Sequence, residues 1–222
     1  MMRRFYIDQH EHGITNFALG IRIKKTRADS VTNQQIQSEI EDVDKNVKML
    51  REIGLNGPSW IAYFSDAICK WEGKWFDYFP LSKSLDDGYV KVVKTLVSEG
   101  KKRGWEPFLI VPGDEPGGHK ETLEPIKHYL ELIKERVPEV KTSICIGGGM
   151  RKGGLSEYDA LKKVLDVPFT SLIREDLLKA MQTDNKKFWI YGGASGGKPG
   201  EYAYDRHATG FYSAKVNPSG VH

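Results

Sequence analysis

Phe108-Leu109-Ile110-Val111-Pro112-Gly113-Asp114-Glu115-Pro116-Gly117-Gly118 is the stretch whose reading decides the fold. The four apolar residues at 108–111 read as a strand. The Pro- and Gly-rich run that follows breaks the strand into a loop. The sequence predicts the strand over Trp105–Val111, between two helices. Helix 85–103 precedes it, with Leu85, Tyr89, Val92 and Leu96 on one face and Gly104 as its stop. Helix 120–136 follows, with Leu123, Ile126, Leu130 and Ile133 at helical spacing, and ends before Pro138.

The same alternation extends outward in both directions. Upstream, residues 2–11 read as a helix stopped by Gly13, and residues 15–23 as a strand. A capping box, Thr32-Asn33-Gln34-Gln35, opens a long helix with the apolar stripe Ile36, Ile40, Val43, Val47 and Leu50, closed by Gly54. A strand at 55–63 leads into an expected aromatic-rich loop carrying Trp71, Trp75, Phe76, Tyr78 and Phe79. Downstream come strand 140–147, a triple glycine, helix 156–165, strand 166–170, helix 174–183, strand 187–192 and a helix at 202–214. A further strand could begin at Gly220-Val221-His222.

Strand–helix alternation of this kind implies a parallel sheet with helical crossovers. Two architectures compete, an eight-stranded barrel and an open doubly wound sheet; in both, function gathers in the loops at the carboxyl ends of the strands. No GxGxxG opens a helix, which weakens the dinucleotide-binding version of the open sheet. The expectation is an α/β protein, a parallel (β/α), TIM-barrel-like barrel over residues 1–222 as a single domain. It is expected to be incomplete, with the first strand missing and the last truncated.

Composition excludes little but points one way. The chain has 222 residues, 39% of them hydrophobic and 28% charged, the balance of an ordinary globular domain. Its 33 basic and 30 acidic residues leave a formal net charge of +3. That gives no reason to expect nucleic acid or an anionic membrane as a partner. No apolar run approaches the ~18 residues of a membrane span, and the basic start Met1–Phe5 runs into Asp8, His10, Glu11 and His12, so no signal peptide is read there. Cys69 and Cys145 have no metal-ligand spacing.

Asp114 and Glu115 are the leading chemical candidates. On a parallel sheet the end of strand 105–111 is the floor of a cleft. Two carboxylates there repel, so one tends to hold its proton, and a protonated carboxyl beside an ionised one suits general acid catalysis. Pro116 restricts Glu115 to extended geometry. The competing reading is a turn decorated with acids, since Asp, Pro and Gly are turn residues.

The strand-end AspGluPro, the GluHisGlyIleThr at 11–15 and the C-terminal PheTrpIleTyrGly…ArgHisAlaThrGlyPheTyrSerAlaLys…Gly together resemble the catalytic domain of glycoside hydrolase family 123 and its relatives. The resemblance implies a (β/α)8 barrel with an Asp-Glu pair closing the fourth strand. Counting back from a presumed eighth strand at the C-terminus makes Trp105–Val111 fourth. It further implies Glu115 as general acid/base and Asp114 as the group that orients a 2-acetamido substituent. The substrate would be a β-linked N-acetylhexosamine, N-acetylgalactosamine, in an oligosaccharide or glycoconjugate, with no cofactor and no metal. Neighbours on one extended segment point to opposite sides. Asp114 and Glu115 therefore suit that substrate-assisted route better than a facing carboxylate pair ~5 Å apart.

Aromatic residues extend the expected site. Trp189 and Tyr191 are read as ending a strand where a sugar would sit, and Trp71 as adding a wall. Tyr204 and Arg206 are read as hydrogen-bonding from the last loop, and His12 as reaching the barrel mouth. Core packing competes for each tryptophan, and a structural salt bridge for Arg206. The near-match Gly192–Pro199 to a phosphate loop has Pro199 where Ser or Thr would bind Mg²⁺, so no nucleotide is expected. His10-Glu11-His12 splays around a helix end and is not read as a metal site. An unclosed barrel has two unpaired strand edges, leaving a fragment, a divergent short form or closure as a homo-oligomer as the alternatives. A catalytically silent carbohydrate-binding or scaffold protein is the competing function.

Overall fold

The computed structural model describes residues 2–11, 18–21, 23, 26–55, 60–64, 67–72, 75–105, 108–113, 116, 120–146, 154–171, 174–191 and 220–221. They divide into two compact units, Met1–Pro112 with Leu132–Lys141, and Gly113–Glu131 with Thr142–His222.

The long helices form where their apolar stripes predict. Helix α1 spans Met2–Glu11 and α2 spans Asn33–Glu52. In α2, Ile36, Ile40, Val43, Val47 and Leu50 are buried, one stripe at spacings of three and four. Each such side chain contributes about 1.5–3 kcal/mol on burial. Thr32 caps this helix by accepting from the Gln35 backbone N–H (3.2 Å), while the Gln35 amide oxygen accepts from the Thr32 N–H (2.9 Å). Helix α3, Lys83–Lys102, starts at Ser82, whose hydroxyl accepts from the Leu85 N–H, and buries Leu85, Tyr89, Val92 and Leu96. Both helices stop the same way. Gly54 (φ +98°) and Gly104 (φ +70°) enter the left-handed region, and the next residues, Leu55 and Trp105, donate back to the carbonyls of Leu50 and Gly100.

Within the two larger sheets, each described strand pair is parallel. Strand β1 (Ala18–Ile21) pairs with β2 (Trp60–Phe64), and β2 pairs with β5 (Phe108–Val111), all in parallel register. With β6 (Lys141–Thr142) they form a sheet in the order β1-β2-β5-β6. In the second sheet β7 (Cys145–Ile146), β8 (Phe169–Ser171), β9 (Trp189–Tyr191) and β10 (Gly220–Val221) pair in chain order, again parallel. Leu109, Ile110 and Val111 of β5 are all buried, which is why the run shows no alternation. Helix α4 spans Lys120–Arg136, α5 Leu155–Leu161 and α6 Glu175–Thr183.

Two expectations change. The aromatic-rich stretch is not a loop but an antiparallel hairpin, β3 (Cys69–Glu72) with β4 (Trp75–Tyr78). The strand expected over 140–147 is two short ones, and the polar side chains at the break, Thr142 at the end of β6 and Ser143 after it, bond to a later segment of the chain. The Thr142 N–H donates to the Asp166 carboxylate (2.9 Å) and its hydroxyl reaches the Val164 carbonyl, while the Ser143 hydroxyl donates to the Val167 carbonyl. Both residues are fully buried. The helix expected at 202–214 and the glycine stop at 13 lie outside the described residues. No described helix is long and apolar enough to cross a membrane.

Candidate functional site

Asp114 and Glu115 lie outside the described residues, as do His12, Tyr204 and Arg206. What frames the acid pair is described. Val111 closes β5, and Pro112, Gly113 and Pro116 are buried. The Tyr78 hydroxyl donates to the Pro112 carbonyl at 2.9 Å, and the Thr122 hydroxyl donates to the Pro116 carbonyl at 2.9 Å. Neither proline has an N–H to donate, so each carbonyl carries that residue's backbone bonding.

The hairpin that supplies Tyr78 occupies the connection from β2 to α3. Its register pairs Cys69 with Tyr78 and Trp71 with Phe76, so these four positions share one face; Lys70, Glu72, Trp75 and Asp77 occupy the other. The base is fastened in two places. The Phe79 N–H donates to the Ile68 carbonyl (3.0 Å), and the Arg27 guanidinium lies 4.9 Å from the centre of the Phe79 ring.

Trp189 opens β9 rather than closing it; Tyr191 takes the carboxyl end. Trp189 is 8% exposed and stacks on Phe169, its register partner in β8, with ring centres 5.8 Å apart and planes 12° from parallel. Trp71 and Tyr191 are placed by their strands.

One arrangement has no counterpart in the sequence reading. Glu157, in the first turn of α5, is buried at 1% exposure. Arg174, just before α6, grips Asp176 with two hydrogen bonds of 3.0 and 2.8 Å. Those bonds raise the Arg174 pKa, and the Glu157 carboxylate adds to the rise; the same guanidinium holds the Asp176 carboxyl below its usual range. The signal for Glu157 was present in the sequence. It stands four residues before Leu161, on the stripe that α5 buries. Among the described residues no cluster of three His, Cys, Asp or Glu is placed to hold a metal ion.

No protein-family model matches the chain, and no curated protein matches it. Solved structures do. A fungal β-1,4-galactanase superposes with a TM-score of 0.63 at 12% identity, over 98% of this chain and 79% of that one. A protein described as a putative α-L-fucosidase from Bacteroides thetaiotaomicron gives 0.59 at 12% identity, over 99% and 78%. The 3-keto-D-glucoside 4-epimerase of E. coli gives 0.57 at 11% identity, over 96% and 87%. Identities this low speak for fold alone. The fold they share with this chain in part is that of TIM-barrel enzymes, glycosidases among them.

Proposed function

We propose that this chain is a glycoside hydrolase acting on β-linked N-acetylhexosamine, with N-acetylgalactosamine as the sugar, by a substrate-assisted retaining mechanism. The observation that carries this reading is the pair of buried prolines, Pro112 and Pro116, that flank Asp114 and Glu115 in the chain. They follow a parallel strand whose Leu109, Ile110 and Val111 are buried, and their carbonyls accept from the Tyr78 and Thr122 hydroxyls. In a parallel (β/α) fold that is where catalytic groups reside.

In the proposed reaction the substrate's 2-acetamido oxygen attacks the anomeric carbon while the bond to the departing glycosidic oxygen breaks. Glu115 donates its proton to that oxygen; Asp114 orients the acetamido group and stabilises the charge that grows on it. Water then attacks the anomeric carbon, Glu115 takes the water's proton, and the acetamido group is released with β configuration retained. Tyr191, at the carboxyl end of β9, and Trp71 supply aromatic walls. Trp189, stacked on Phe169, stands on the same strand as Tyr191. His12, Tyr204 and Arg206 complete the polar contacts.

The test is turnover of an unactivated oligosaccharide ending in β-N-acetylgalactosamine by the wild type and by Glu115→Gln. The expected loss is on the order of 10²–10⁴ in kcat. Absence of turnover by the wild type, with the sugar still bound, would leave the silent carbohydrate-binding reading in its place.

A further inference from the structure

We infer that Arg174 is an electrostatic latch between the starts of α5 and α6, compensating the buried carboxylate of Glu157 on one helix with a guanidinium anchored on the other. All of its parts lie in the second unit, and it holds whatever the substrate is. Strands β7 and β8 are parallel neighbours, and α5 and α6 are the helices that follow them in the chain. The latch therefore joins two successive helix starts on the side where (β/α) folds carry their functional loops.

The anchor is Asp176, in the first turn of α6. Arg174 donates to one of its carboxylate oxygens from Nε at 3.0 Å and to the other from Nη2 at 2.8 Å, so the guanidinium is fixed in direction as well as in place. From that anchor it reaches the start of α5. Gly154 is the residue just before that helix, and a Cβ built there would collide with the terminal nitrogens and central carbon of this same guanidinium. Glu157 stands three residues on, the position from which a glutamate reaches back over a helix start. Guanidinium and carboxylate thus belong to the same end of α5, and the Glu157 charge acts on Arg174.

The pair with Asp176 would by itself be a surface ion pair, since the Asp176 side chain is 43% exposed. A surface pair explains neither the space kept open at Gly154 nor Glu157. A glutamate buried to 1% exposure needs a cation to compensate it. One guanidinium serving carboxylates on two helices couples them. If α6 carries Arg174 away, the Glu157 charge is stranded, and that costs far more than losing a surface pair.

The test is amide hydrogen exchange across Leu155–Leu161, followed by mass spectrometry on the full chain. Arg174→Met should speed exchange in α5, a helix to which Arg174 does not belong, about tenfold or more. Glu157→Gln should then slow it again about threefold or more in the Arg174→Met background, because a neutral amide leaves no charge stranded. In the wild-type background the same substitution should not slow it. Packing alone would give Glu157→Gln one effect in both backgrounds, and that result would overturn the latch. So would an Arg174→Met protein that loosens α6 and leaves α5 at the wild-type rate. Should Arg174→Met fail to fold, adding Glu157→Gln is expected to restore folding, and a double variant that also fails would overturn it.

Discussion

Gly88 and Gly154 each clear a path for a neighbour, one in each compact unit, and the neighbours differ in kind. Gly88 lies inside α3, where a Cβ would meet the carbonyl oxygen of Ala28 at 2.5 Å and the Asp29 nitrogen at 2.7 Å. Those atoms are backbone, part of the short 3₁₀ turn Ala28–Ser30. Gly154 precedes α5, where the atoms nearest an added Cβ are the terminal nitrogens and guanidinium carbon at the far end of Arg174, all inside contact distance. The first unit is thus specified by close backbone packing over apolar stripes. The second, at this point, is specified by a guanidinium threaded between Gly154, Asp176 and Glu157. Backbone cannot step aside; a flexible side chain can.

That contrast sets the order of the predictions. Gly88→Ala has the largest expected effect. Alanine's better helix propensity, about 1 kcal/mol, is outweighed because helix and turn must separate, and a net loss of about 3 kcal/mol is expected. The urea midpoint measures it, and an unchanged midpoint would mean that the helix and the turn do not approach as described. Gly154→Ala should cost less, about 1–2 kcal/mol. Arg174 can swing away, but a φ of +29° remains strained for any residue with a Cβ. In a cycle with Arg174→Ala the two changes should be non-additive, since removing the guanidinium removes the collision but not the strain. Full additivity would break the comparison.

Helix starts sharpen the same contrast at smaller size. Thr32→Ala removes the α2 cap and should cost about 1 kcal/mol. Helix α6 has no side-chain cap at Arg174, so Arg174→Ser, which installs a capping hydroxyl, tests whether the guanidinium matters more than a cap. A variant less stable than the wild type at neutral pH is expected.

The apolar stripes of α2, α3 and α4 were legible because helix periodicity is written within a few turns, and burial of Ile36 through Leu50 follows the spacing residue by residue. The hairpin was legible too, and was missed: Cys69, Trp71, Phe76 and Tyr78 alternate with Lys70, Glu72, Trp75 and Asp77 around Gly73-Lys74, a Gly-first pair of the kind that joins two strands. Density of aromatics masked the period of two. The break after Thr142 was not legible, because it depends on Asp166 and Val167 arriving from farther along the chain. The frame of the acid pair shares that limit. Strand and turn can be read around residues 108–118, but no local pattern announces that Tyr78, from another element, holds Pro112.

Acid pH offers the smallest and most selective probe of the two regions. Asp44 is lowered first by its bond to Lys48, with Arg103 adding to it, and Asp176 first by Arg174. A carboxyl whose folded pKa lies below its unfolded one binds fewer protons when folded. Its contribution is therefore fully present above the ordinary Asp value of 3.8 and is lost as the pH falls through the lowered folded value. Asp44 has a side chain 13% exposed, against 43% for Asp176, so water and salt screen the second pair more. Between pH 6 and pH 3 the wild-type urea midpoint should fall. Asp44→Asn should flatten that fall visibly, and Asp176→Asn only slightly and less still at high salt. Were Asp176→Asn to flatten it more, the Arg174 cluster would be the better shielded of the two. The second unit would then owe more of its order to buried charge than the exposure of Asp176 allows.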